Sequence, residues 1–156
     1  MSNTANSKDK EAVRTWLRIL SCEIVVEQNL RSRFRSYFSR TLPQFDVLSE
    51  LERADRPLAM SELSRELMVS NANVTGVIDR LEKSGLVERN RAKHDRRVLY
   101  IQLSKEGRRQ FNKMAKHHER WLGELFGGLN EKEMSRLQSL LLKARQSASA
   151  AAADPK

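Results

Sequence analysis

Cysteine, proline and glycine are scarce in this chain of 156 residues, with one, three and six copies. The single Cys22 excludes an intrachain disulfide framework, and together with only three histidines it leaves no Cys/His spacing suited to structural zinc. Two of those histidines, His117 and His118, are neighbours and the third, His94, is remote, so a Ser/His/Asp catalytic set is hard to assemble. No phosphate-cradling Gly-rich loop is present. Enzyme chemistry, a bound cofactor and a metal are therefore not expected. No apolar run approaches the length of a membrane span, and the opening MSNTANSKDK lacks the apolar centre of a secretory signal. A cytoplasmic location without a membrane partner is the default expectation.

Positive charge is abundant instead. Twenty-nine Lys and Arg stand against 20 Asp and Glu, a formal charge of +9, which favours polyanionic partners through long-range attraction. The imbalance is uneven: residues 41 to 55 carry a net −3, whereas residues 80 to 97 alone hold seven basic and three acidic groups. The middle of the chain is the basic focus.

Periodicity predicts a mainly α protein with one small β-hairpin. From about Asp9 to Phe38 apolar residues fall on more than one helical face, without Gly or Pro. Thr41 or Ser39 can cap a second helix, with Pro43 in its first turn and Phe45, Leu48 and Leu51 as its buried stripe, ended by Asp55-Arg56-Pro57. Ser61 starts a short helix through Leu67. Ser70 caps another, with Val74, Val77, Ile78 and Leu81 on one face and Gly85 closing it in the left-handed conformation. The period then changes to two: Val87 opens a strand, a basic loop follows, and Leu99, Ile101 and Leu103 return. Ser104 caps a long helix that Gly127-Gly128 interrupts, and Asn130 with Glu133 starts a last one. Residues 1 to 8 are expected as a disordered arm, and residues 148 to 156 as a frayed or disordered tail.

Residues 61 to 85 match the helix-turn-helix geometry whose second helix enters a DNA major groove. The apolar face of that helix leaves Asn71, Asn73, Thr75, Gly76, Asp79, Arg80 and Lys83 on or near its other side. Asn pairs bidentately with adenine and Thr meets a thymine methyl, while Arg80 and Lys83 are placed for phosphates. Ser61 and Ser70, at the two helix starts, complete that set. Helix capping and solvation are the alternative for the asparagines. The hairpin that follows would form a wing, and its Arg89, Arg91, Lys93, Arg96 and Arg97 would meet the next phosphates and the minor groove. Asp95 among them would aim Arg97 by a charge-assisted hydrogen bond. A solvated charge run is the alternative.

SNANVTGVIDRLEKSGLVERN followed by HDRRVLYIQLSKEG resembles the core of the MarR family of winged helix-turn-helix regulators, and the helix order fits from about residue 10 to 147. The resemblance implies a winged helix-turn-helix lobe over residues 41 to 103, with terminal helices over 9 to 40 and 104 to 147 forming a homodimer. It also implies repression at a palindromic operator on double-stranded DNA, relieved by a small molecule bound between the lobes. Asp95 and Arg97 match the family's wing Asp and Arg. Gly76 stands where many members carry a basic residue, which shifts base readout toward Asn73 and Thr75. The wing tip AKHDRR lacks the Pro often found there. A nonspecific architectural DNA binder is the runner-up reading.

Candidates for the ligand cleft are Trp16, Arg18, Cys22, Arg40, Phe45, His117, His118 and Trp121. An anionic aromatic effector, an aromatic carboxylate or its coenzyme A thioester, fits the arginines of the first two helices (Arg31, Arg33, Arg35, Arg40) and the habits of MarR relatives. Those arginines could equally be solvent-exposed or touch DNA. Some relatives sense peroxide through a first-helix cysteine, yet Ile19, Leu20, Ile24 and Val25 surround Cys22, so a buried, inert thiol is expected over a thiol-based redox sensor.

Overall fold

The computed structural model describes residues 2–68, 70–91 and 98–153, with residues 2–6, 71 and 153 described through their backbone. Among them the elements run α1 (Ser2–Phe38), α2 (Leu42–Ala54), β1 (Leu58–Ala59), α3 (Met60–Glu66), α4 (Asn71–Lys83), β2 (Val87–Arg91), β3 (Leu99–Leu103), α5 (Lys105–Leu125) and α6 (Glu131–Ala153). The fold is mainly helical with one small antiparallel sheet. Two compact units divide the chain, Met1–Arg120 and Trp121–Lys156.

In the first unit α1 begins at Ser2, which corrects the expected disordered arm over residues 1 to 8 for its residues from Ser2 onward. Nothing in that stretch breaks a helix, because it contains neither Gly nor Pro. Ser39 takes φ 52° and closes α1, so the cap of α2 falls to Thr41. The Thr41 side chain accepts from the Gln44 N–H at 3.4 Å, and the Gln44 side chain accepts from the Thr41 N–H at 2.9 Å, satisfying two donors that the helix itself leaves open. Asp55, at φ 49°, ends α2 where the Asp-Arg-Pro turn was expected.

α3 starts one residue before the expected Ser61. The Glu62 carboxylate, at the third position of the helix, accepts from the Ala59 N–H at 2.8 Å and pairs with Arg56 at 2.9 Å. The Arg56 hydrogen bond, then that of Ala59, holds the Glu62 carboxyl below its ordinary pKa. β1 was not foreseen. Its two residues pair with β3 (Leu58 opposite Ile101, Ala59 opposite Tyr100), giving the sheet order β1-β3-β2.

The core of the winged portion is apolar and closed. Val47, Leu48, Leu63, Val74, Ile78, Leu81, Leu86 and Ile101 are all buried, each worth about 1.5–3 kcal/mol in apolar transfer. Beside it an aromatic cluster joins α1, α2 and α5. Phe45 lies 4.6 Å from Phe34, 4.8 Å from His118 and 5.7 Å from Phe111 between ring centroids. Burial there lowers the His118 pKa, against the opposing charge of Glu119.

Gly85 adopts φ +71° after α4, and the Leu86 N–H donates back to the Leu81 carbonyl at 2.9 Å. This is the left-handed closure read from the sequence. The start of α5 is fastened to the same point: the Ser104 N–H donates to the Leu86 carbonyl at 3.0 Å, the Ser104 hydroxyl donates to the Gly85 carbonyl at 2.6 Å, and the Gly107 N–H donates to the Ser104 hydroxyl at 2.9 Å. Arg108 then bridges to Glu52 at 2.8 Å and Asp55 at 3.3 Å, tying α5 to the end of α2.

In the second unit, Asn130 and Glu133 cap α6 reciprocally, at 3.0 and 2.9 Å. α6 continues to Ala153, which corrects the expected fraying from residue 148 as far as Ala153; the alanine run is the best helix-forming composition available. Each unit leaves apolar side chains in water. On α1 these include Val13, Trp16, Leu17 and Ile24, spaced as one helical stripe, and on α6 they are Leu140, Leu141 and Leu142.

Candidate nucleic-acid interface

α3 and α4 form the helix-turn-helix. Ser70 caps α4 by accepting from the Asn73 N–H at 3.4 Å, and its connection to α3 includes Met68 at φ 54° with 93% of its surface exposed. Val74, Ile78 and Leu81 anchor α4 in the core, which fixes its rotation. The same rotation turns Asn73, Thr75, Asp79, Arg80 and Lys83 outward, all of them exposed, with Gly76 half-buried between them. A Cβ added at Gly76 would meet nothing within 4 Å, so packing does not demand a glycine there. Asn71 opens the helix, and only its backbone is described. Ser61 is exposed near the start of α3.

β2 and β3 form the wing in the register Val87 opposite Leu103 through Arg91 opposite Leu99. Lys93, Asp95, Arg96 and Arg97 lie outside the described residues, and with them the expected Asp95–Arg97 contact. Arg91 is exposed. Arg89 is not free to meet a phosphate as expected. Its guanidinium hydrogen-bonds Asp79 of α4 and lies 3.3 Å from Glu82, and its side chain is only 23% exposed. The signal was present in the sequence: with period two, residue 89 shares the inward face of Val87.

Of the expected ligand-cleft residues the structure brings Phe45 and His118 together, 4.8 Å apart between ring centroids. Trp16, Arg18 and Cys22 are exposed along α1. Arg40 instead donates to the Ser84 hydroxyl at the end of α4, at 2.9 Å. Phe45 is core, His118 belongs to its aromatic cluster, and His117 stands edge-on to Phe38 at 5.2 Å with Arg120 at 3.0 Å. Trp121 is buried. Cys22 is exposed, which corrects the buried thiol expected from its apolar neighbours; Ile24 and Val25 are themselves in water and cannot cover it.

A different cleft exists, of about 550 Å³, where α1 and α2 meet α4. Its wall is apolar (Pro43, Val47, Leu67, Val74, Val77) and its polar groups are Glu27, Arg31, Asp46, Asn73 and Arg80. Arg31 donates to Glu27 from Nε at 3.0 Å. The Asp46 carboxyl is pushed up to about 6, first by desolvation and then by the Glu27 charge, with Arg31 opposing. Asp46 is nonetheless exposed as a residue, so solvent weakens both the desolvation and the Glu27 repulsion that raise it. Sequence reasoning missed this cleft because its residues come from three elements with no shared local pattern.

The family model of the MarR family matches residues 41–99, the stretch from the cap of α2 to the first residue of β3. The transcriptional regulator PecS of Dickeya dadantii is 30% identical over 120 residues, covering 76% of this chain and 72% of PecS. The chain belongs to the MarR family. The transcriptional activatory protein BadR of Rhodopseudomonas palustris is 31% identical over 144 residues, covering 90% of this chain and 82% of BadR. A cysteine-to-serine variant of Escherichia coli MarR, solved in complex with operator DNA, superposes with a TM-score of 0.74 at 25% identity, covering 86% of this chain and 95% of that one. As a member of the MarR family the chain is a DNA-binding transcriptional regulator and not an enzyme. Among the described residues no helix is long and apolar enough to cross a membrane, and no group of three His, Cys, Asp or Glu could hold a metal ion.

Proposed function

We propose that this MarR-family regulator is a homodimeric repressor that reads a palindromic operator through α4 and the wing and is released by a small effector. The observation that carries the reading is the division of α4 into a face locked in the core and a polar face in water. On the polar face Asn73 and Thr75 read base edges, and Arg80 and Lys83 hold phosphates. Arg91 with Lys93, Arg96 and Arg97 extends the contact along the backbone. The winged lobe takes residues 41 to 103. The helices over 9 to 40 and 104 to 147 make the dimer, a role supported by the apolar stripe on α1 and, separately, by the leucines of α6. Two copies of α4 related by a twofold axis would meet successive major grooves about 34 Å apart.

The cleft at α4 is the effector site. Its volume of about 550 Å³ falls among clefts that enclose small ligands, and Asn73 and Arg80 of the DNA-reading helix line it. An aromatic carboxylate fits with its ring on Pro43 and Val77 and its charge toward Arg80; of a coenzyme A thioester only the acyl end would enter. Footprinting on the DNA upstream of the chain's own gene, with and without a panel of aromatic acids, tests the reading. A bounded palindromic footprint lost on adding one of them is expected. Diffuse coverage would favour an architectural binder and refute the proposal. The exposure of Cys22 favours one second reading, a thiol sensor. In that case mild peroxide abolishes the footprint of the native chain but not of Cys22→Ser.

A further inference from the structure

We propose that Arg89 is a strut between the wing and α4, held by Asp79 and Glu82, that sets the angle at which the hairpin leaves the DNA-reading helix. The inference rests on α4 and the wing contacting the duplex. Sequence alone counts Arg89 among the basic groups of a DNA-facing run. The structure separates it from them. It sits on β2 opposite Ile101 of β3, on the strand face that carries the buried Val87, whereas Glu88 and Asn90 point to water and Gln102 bonds Glu88 across the outer face at 2.9 Å. From there its guanidinium reaches two carboxylates one helical turn apart on α4.

Three physical points favour a strut over a phosphate ligand. The side chain is 23% exposed while Asp79 is 55% exposed, so the cation is the enclosed partner and the acid is the one left in water. Swinging Arg89 out to a phosphate would break a charge-assisted contact and leave Asp79 and Glu82 unneutralised on the helix that faces a polyanion. The contact also lies near the end of β2: Arg91, two residues further, is already exposed, and the basic residues Lys93, Arg96 and Arg97 follow it in sequence. A small rotation of β2 about this point displaces the exposed Arg91.

The test uses the full-length chain, a duplex that the wild type selects from a randomised pool, and an unrelated duplex of equal length. Affinities are measured across a salt series for wild type, Arg89→Gln, Asp79→Asn and the double variant. The strut requires that Arg89→Gln weaken the selected duplex about tenfold, and that the loss shrink to under about threefold when Asp79→Asn is already present. It also requires an unchanged slope of log affinity against log salt and little effect on the unrelated duplex. The ratio between duplexes is insensitive to the folded fraction, so simple destabilisation does not imitate this result. A salt slope smaller by about 0.9, an equal loss on both duplexes, or additive effects of the two substitutions would each make Arg89 a phosphate contact and overturn the proposal. A wild type that cannot tell the two duplexes apart would remove the interface reading itself, and the strut with it.

Discussion

Alanine at position 107 should damage this protein far more than alanine at Gly76, Gly123 or Gly128, where an added Cβ meets nothing within 4 Å. A Cβ built on Gly107 lies 1.8 Å from the Leu86 carbonyl oxygen, 2.8 Å from its carbonyl carbon and 3.2 Å from its Cα. A close C–H···O approach is about 3.3 Å, so the first turn of α5 and the residue after Gly85 must part by roughly 1.5 Å. Backbone cannot give way as a flexible side chain does. Overpacking costs about 3 kcal/mol at the upper end of its usual range. The same Leu86 oxygen accepts from the Ser104 N–H, and losing that bond adds about 1 kcal/mol. Alanine returns about 0.8 kcal/mol of helix propensity. The net loss is about 3 kcal/mol, and at about 2–4 °C per kcal/mol for a chain of this size the melting temperature should fall by about 6–12 °C. Circular dichroism melts of the full-length chain measure it. Gly76→Ala, where a Cβ meets nothing within 4 Å, is the control and should lose nothing. If Gly107→Ala melted within about 2 °C of wild type, the close approach of α5 to Leu86 would be wrong.

Thr41→Ala removes an oxygen that caps α2 and should cost about 1 kcal/mol in urea unfolding, and Thr41→Ser should restore most of it. Asp46, whose folded value of about 6 exceeds the ordinary 3.8, binds its proton more tightly folded than unfolded. Its ionisation therefore opposes folding above about pH 6, and the penalty fades as pH falls from 6 toward 4. Asp46→Asn should then gain more over wild type at pH 7.5 than at pH 5 in urea midpoints, and equal gains would refute the sign. By the same sign an aromatic acid should bind the cleft more tightly at pH 5 than at pH 7.5 by calorimetry, with the difference much reduced in Asp46→Asn. Leu17→Glu on the exposed stripe of α1 should shift the sedimentation coefficient to that of a monomer, and an unchanged dimer would exclude that stripe from the interface.

The winged portion was legible in the sequence because its elements announce themselves locally. Thr41 and Ser70 sit at helix starts, Gly85 at a left-handed closure, and Val74, Ile78 and Leu81 repeat at helical spacing. Each is a signal within one turn of chain. β1 was illegible for the opposite reason: two residues hold no periodicity, and only the partner strand, with Ile101 opposite Leu58 and Tyr100 opposite Ala59, makes them a strand. Gly107 was legible as part of a family motif, but its reason, the Leu86 carbonyl, is a tertiary contact. The ends of α1 and α6 were misread because polar or low-complexity composition was weighed above the absence of a helix breaker.

Charge was the least transferable signal, and the arginines show why. Counting Lys and Arg located a basic focus but could not assign a guanidinium to DNA, because assignment depends on carboxylates that other elements bring. Asp79 and Glu82 withdraw Arg89, Glu52 and Asp55 withdraw Arg108, Glu27 engages Arg31, and Ser84 engages Arg40. What remains on the outward face of α4 is Arg80 and Lys83, two cations at the end of a helix whose first turns offer Asn73 and Thr75. That order, amides and hydroxyls toward the helix start and cations toward its end, is the one a major groove selects, since bases lie at its floor and phosphates along its rim. Neutralising Arg80 should therefore lower the salt slope by about 0.9 while leaving sequence preference intact, whereas Asn73→Ala should blur preference at one base pair and leave the slope alone. Were both variants to change the same quantity, the division of α4 into a reading end and a holding end would fail.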